Sequence, residues 1–152
     1  MKKKQYLKQL DFEVWANNIL IKSISESHDP EGRVYEILSH ILIASNNWLK
    51  RILEESPTYK LWDILTLNDC LQLSQKNHEA WKNFILNKTD EELEQHVYFP
   101  FMGEPSKISI EDLFTHLINH SSYHRGQIIA KLKGKLDLLP LTTYIAFATE
   151  KA

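Results

Sequence analysis

Helix breakers are scarce in this chain, and their scarcity narrows the possible folds more than any other feature. The 152 residues contain only four glycines and five prolines. Most of them gather at Pro30 and Gly32, at Pro57, at Pro100, Gly103 and Pro105, and at Pro140. Glycine and proline are the strongest local punctuators of structure, so long uninterrupted segments remain between these breaks. Within those segments apolar residues recur every three or four positions, the period of an amphipathic helix.

Four main helices are therefore expected. The first runs from Lys3 to Ser27, with a stripe of Leu7, Leu10, Val14, Asn17, Ile21 and Ile24. The second runs from Glu31 to Glu54, with Val34, Ile37, Ile41, Ala44 and Trp48 on one face. The third runs from Asn68 to Asn87 and aligns Leu71, Ser74, His78, Trp81 and Ile85. The fourth runs from Ile110 to Lys133, with Leu113, Phe114, Leu117, Ile118, Ile128, Ile129 and Leu132 apolar. Ser109 followed by Asp112 resembles a capping box, with Asp in place of Glu or Gln. A short further helix is expected after Pro140. No sustained period-two segment competes with these helices. The expectation is an all-α chain: a single domain over residues 1–152, folded as a four-helix bundle about 30 Å long. A long connection over residues 89–109, containing "VYFPFMGEPSK", joins the third and fourth helices. Loops of that length in compact domains are often functional; equally, its aromatics could plug the end of the bundle.

Charge excludes some partners. The formal net charge is −2, from 18 basic and 20 acidic residues, which predicts no nucleic-acid or anionic-membrane surface. No run of about 18 apolar residues occurs, so no membrane-spanning helix is expected. Lys2, Lys3 and Lys4 are not followed by the apolar core of a secretory signal. Cys70 is the only cysteine, which forbids an internal disulfide and fits a cytoplasmic protein. It reads as a small core residue, since nothing around it lowers its pKa.

The chemistry concentrates in "HLINHSSYHRGQI", residues 116–128. His116, His120 and His124 stand four residues apart. On a helix, neighbours at that spacing lie about 6 Å apart along the axis and can converge on one ion. The outer pair is about 12 Å apart, too far for Zn–N bonds of about 2.0–2.1 Å. One adjacent pair, 116/120 or 120/124, is thus expected to bind, with a third ligand from elsewhere. His40, beside the second helix's apolar stripe, is the best candidate. His78 on the third stripe is a rival, although a core-facing histidine is more often simply hydrogen-bonded. Gly126 inside the fourth helix costs about 1 kcal/mol relative to Ala, which suggests close approach of a neighbouring group. Arg125 could bind an anionic substrate group, but an ion pair at a surface or interface is the ordinary role.

"NHSSYHRGQI" strongly resembles the last-helix signature of the DinB branch of the DinB/YfiT-like metalloenzyme superfamily. "YLKQLDFEVWANNIL" and "ILSHILIASNNWL" support it, as does the approach through Gly103 and residues 107–110. The resemblance implies a four-helix bundle, often a homodimer, with a divalent metal on three histidines: one from the second helix and two from the HxxxH. Those positions are His40, His120 and His124, and His116 becomes a neighbour of the site. Three imidazoles leave an open coordination position and suit Zn, Ni, Cu or Fe, with zinc or nickel first among them. The wider superfamily includes thiol-dependent S-transferases and a thiol-dependent isomerase. A transferase joining a low-molecular-weight thiol to a small electrophile therefore ranks first. A metal-dependent hydrolase and a non-catalytic metal- or small-molecule-binding dimer follow. Glu36, one turn before His40, would be a hydrolase's nearest carboxylate but reads as a solvated helix residue. Arg125 or Asn47 could meet a thiol cosubstrate. Tyr123 could donate to a substrate oxygen, though packing is its ordinary role.

Overall fold

A computed structural model describes residues 2–150. Its elements are α1 (Lys2–Glu26), α2 (Gly32–Ile52), α3 (Leu67–Leu86), α4 (Asp90–Leu93), β1 (His96–Phe101), β2 (Glu104–Ser109), α5 (Ile110–Leu132) and α6 (Tyr144–Ala148). The four long helices expected from the sequence are α1, α2, α3 and α5, with ends displaced by one or two residues at most. The short helix after Pro140 is α6. The chain is mostly helical, and none of its described helices is long and apolar enough to cross a membrane.

The helix starts have identifiable causes. Thr66 caps α3 by accepting from the Asp69 amide at 3.1 Å, and Ser109 caps α5 by accepting from the Asp112 amide at 3.1 Å. Asp112 is one methylene shorter than the Glu of a full capping box. Its carboxylate takes the Ser109 hydroxyl at 2.8 Å instead of reaching back to the backbone. The complete box forms at α4, where Glu92 accepts from the Thr89 amide and Thr89 accepts from that of Glu92.

Apolar faces then close the long helices on one another. α1 packs on α3, α3 on α2, α2 on α5, and α5 back on α1. Two apolar clusters result. One contains Leu20, Ile24, Val34, Leu38, Ile41, Ile128 and Leu132. The other contains Leu10, Leu49, Trp81, Leu93, Phe114 and Leu117. Buried polar residues separate them along α1, α3 and α5: Asn17, Ser74, Asn77, Ser121 and Arg125.

The mostly helical frame is as expected, with two differences in detail. The connection over residues 89–109 is not bare loop and adds a small two-stranded sheet. After α4 it forms an antiparallel hairpin, β1 with β2, in the register Phe101↔Glu104, Pro100↔Pro105, Phe99↔Ser106. Met102 (φ 51°) and Gly103 (φ 86°) make its two-residue turn, the positive-φ pair that matches strand twist. In such a hairpin the pair flanking the turn exchanges hydrogen bonds and the next pair does not. Pro100 and Pro105 therefore face each other where no amide proton is needed. The second difference concerns α3. Ser74, Trp81 and Ile85 of the expected stripe are buried, with Cys70, Leu73, Asn77 and Phe84 beside them. Leu71 is 45% exposed, and Cys70 and Asn77, each one residue earlier, take the places expected for Leu71 and His78.

Candidate metal centre

α2 and α5 pack side by side, and this brings His40 opposite His120 and His124. The His40 and His120 Nε2 atoms lie 3.1 Å apart. One ring nitrogen from each of the three residues lies within 4.8 Å of the others. His40 is buried, while His120 and His124 are partly buried. The other expected candidates lie elsewhere. His116 is exposed, its ring 5.5 Å from that of His120. His78, the rival, donates from Nε2 to the Asp11 carboxylate at 2.8 Å, the ordinary hydrogen-bonded role.

Hydrogen bonds decide which nitrogens carry protons. His40 Nδ1 donates to the Leu61 carbonyl at 3.3 Å, since a carbonyl can only accept. Its Nε2 therefore keeps a lone pair in the neutral ring. His124 Nδ1 likewise donates to Gln127 Oε1 at 2.7 Å, which leaves its Nε2 free to ligate. Burial holds His40 below the usual histidine range, against the Leu61 carbonyl, which raises it. For His120, burial and then the neighbouring His124, His40 and His116 lower the pKa from 6.5 to about 4. Neutral rings are thus the resting state of both near pH 7. Metal ligation requires that state.

These residues fit a divalent cation. Two Zn–N bonds of about 2.0–2.1 Å at a tetrahedral angle place the nitrogens about 3.3 Å apart, close to the observed 3.1 Å. Without a proton or a cation between them, two lone-pair nitrogens at that distance repel. His120 Nδ1 is buried with no partner, and its Nε2 meets the His40 Nε2 lone pair, the place a shared cation would take. Among the described residues no carboxylate joins the group. Glu36 is paired outside it, accepting from Arg33 at 2.6 Å.

Several neighbours were not legible in the sequence. Trp62, from the α2–α3 connection, lies flat on His40, with ring centroids 3.9 Å apart and planes 5° apart. Leu61 and Gln127 orient His40 and His124. For Gln127 a signal existed, since it lies three residues after His124 on the same helix. For Leu61 and Trp62 no periodicity could have given it. Asn47, considered for a thiol, donates to the Tyr59 carbonyl at 3.1 Å. Tyr123 is exposed, with its ring 5.1 Å from that of His124.

Two further expectations change. Arg125 is not a surface residue: it is 1% exposed and its guanidinium forms a two-pronged pair with Glu13 at 2.7 and 3.0 Å. Asn17 and Ser122 accept further bonds from it. The ion pair is real but lies in the core, joining α5 to α1. Gly126 is not there for close approach, since a Cβ built on it meets nothing within 4 Å. Cys70 is buried, as expected, and burial pushes its thiol up to about 11.

A cleft of 560 Å³ opens one turn beyond His40, between α2 and the hairpin. Trp48, Leu61, Phe99 and Pro100 wall it, and Arg51 lies in it with its guanidinium over the Trp48 ring. Its volume is in the range that holds small molecules. The model of the DinB family matches residues 2–136 of the chain. No curated protein matches it.

Proposed function

Because the chain belongs to the DinB family, we propose that it is a divalent-metal-dependent enzyme built on a four-helix-bundle frame, with His40, His120 and His124 as the ligands. Its reaction in this reading is S-transfer from a low-molecular-weight thiol to a small electrophile. The observation that carries it is the convergence of three imidazoles, two with their Nδ1 protons tied outward, and no carboxylate among them. A zinc or nickel ion held there would supply Lewis acidity, lowering the pKa of a thiol or water bound to it. The rest belongs to the chain. Leu61 and Gln127 keep the ligating nitrogens unprotonated, and Trp62 shields one face of His40. The cleft walled by Trp48 and Phe99 would hold the body of the substrate. The thiol sulfur would bond to the electrophile's carbon, the leaving group departing with its electron pair and the thiol proton passing to solvent. Hydrolysis is the weaker reading, since no carboxylate base joins the group among the described residues.

The same reading includes a cytoplasmic homodimer acting on a small molecule, with no nucleic-acid or membrane partner. The exposed apolar side chains Leu138, Leu141 and Ile145 support a partnered surface there.

Elemental analysis of untagged protein, wild type against His124→Ala, tests the site. Near-stoichiometric metal in the wild type, lost in the variant, is the expected result. Consumption of a simple thiol by a small alkyl halide then tests the reaction, with the rate expected to vanish in His124→Ala and on chelation. Wild type that retains metal without accelerating that reaction would rule out transfer. Wild type that takes up neither zinc nor nickel would rule out the site.

A further inference from the structure

His40 is the one candidate ligand that α2 supplies, and it is held by residues outside its own helix. The Leu61 carbonyl takes its Nδ1 proton at 3.3 Å, and the Trp62 indole lies flat against its ring at 3.9 Å. Adjacent residues of one segment therefore restrain two independent coordinates. The carbonyl fixes the tautomer and the rotation of the ring in its plane. The indole fixes the tilt of that plane.

The segment itself is pinned. The Lys60 amide donates to Asp63 Oδ2 at 2.9 Å and the Asp63 amide to the Lys60 carbonyl at 3.0 Å, closing the turn that carries Leu61 and Trp62. On one side of the turn Asn47 donates to the Tyr59 carbonyl at 3.1 Å; on the other the Leu65 amide donates to Ser39 Oγ at 2.8 Å. Ser39, His40 and Asn47 all belong to α2, so the helix grips the strap at three points around the ligand. The Arg33 guanidinium lies over the Trp62 ring at 5.1 Å, anchored by Glu36.

Core packing does not account for Trp62. It is 48% exposed, whereas the core tryptophan Trp81 is 1% exposed. An exposed indole ordered in a loop loses rotamer freedom. The close partners it has are His40 and Arg33. We propose that Trp62 is a positioning residue for His40, and that the strap of residues 59–65 sets how tightly the three-histidine site holds its metal. This rests on the metal reading above. A ring already held in the ligating orientation pays less ordering entropy when the ion arrives, and partners that orient a ligating histidine govern metal affinity strongly.

Zinc and nickel affinities, measured by competition with a chromophoric chelator, test this on wild type, Trp62→Ala, Trp62→Leu and Trp62→Phe. The expected result is about tenfold weaker binding for the Ala and Leu variants, with Phe, which keeps a flat face, near wild type. Metal-free melting temperatures should be alike across the set. Nickel should also quench tryptophan emission in the wild type and much less in Trp62→Phe, because Trp62 is the indole stacked on the site. Equal affinities in wild type and Trp62→Ala would overturn the role of Trp62 and leave the metal site standing. So would a Leu variant that binds as well as Phe, since simple apolar cover would then suffice. Wild type that binds no metal would instead remove the reading on which the proposal rests.

Discussion

His120 faces three other imidazoles and no carboxylate among the causes that shift it, and its pKa falls to about 4. The unfolded chain takes up a proton near 6.5, and the folded chain resists until about 4. Between those values the unfolded state binds more protons, so folding stability falls as pH falls, and the loss is complete below about 4. His40, lowered chiefly by burial, acts in the same direction. Metal-free protein should therefore melt at progressively lower temperature from pH 6.5 down to 4, and His120→Asn should flatten that dependence. Calorimetry across the range checks it. Bound metal should leave over the same acid limb, because a protonated ring cannot ligate. Helical spacing limited α5 to one adjacent histidine pair, and the family resemblance selected His120 and His124 together with His40. Trp62 was not legible in the sequence, because its place depends on how Ser39, His40 and Asn47 hold a loop, and no local pattern encodes that.

Among elements, α5 carries two residues whose roles the sequence left open. Gly126 lies in its interior with open space where a side chain would be. Gly126→Ala should raise stability by about 1 kcal/mol, read as a higher denaturant midpoint at unchanged slope. A decrease would mean that a second molecule approaches this surface. Arg125 ties α5 to α1 through Glu13. Removing one partner of a buried pair strands the other charge, so Glu13→Ala should cost roughly 3–5 kcal/mol. Urea denaturation checks this, and Glu13→Gln should cost less because its amide oxygen can still accept. The long helices were legible because their breaks are so few. The hairpin was hidden because its strands are six residues each, only Val97 among them is fully buried, and its turn places Met102 at positive φ. Two prolines facing each other also look like a loop until the register shows that they fall where no amide is required.

Across the whole molecule, the candidate centre joins α2 to α5, two helices far apart in the chain. An ion that binds only the folded state stabilises it by mass action, by about 2.7 kcal/mol at a free concentration one hundred times Kd. Added zinc should therefore raise the melting temperature of the wild type and leave His40→Ala and His124→Ala unmoved. Differential scanning fluorimetry against a chelator control would show this, and an equal shift in the variants would place the ion elsewhere. Cys70 has a further consequence at this scale. Its thiol is buried between α2 and α3, 3.9 Å from Ser39 Oγ, and stays protonated up to about 11. The native protein should be silent toward aromatic disulfides and maleimides. In a thiol-consumption curve followed with such a reagent, each sulfhydryl that disappears then belongs to the added thiol, and the protein contributes no background of its own.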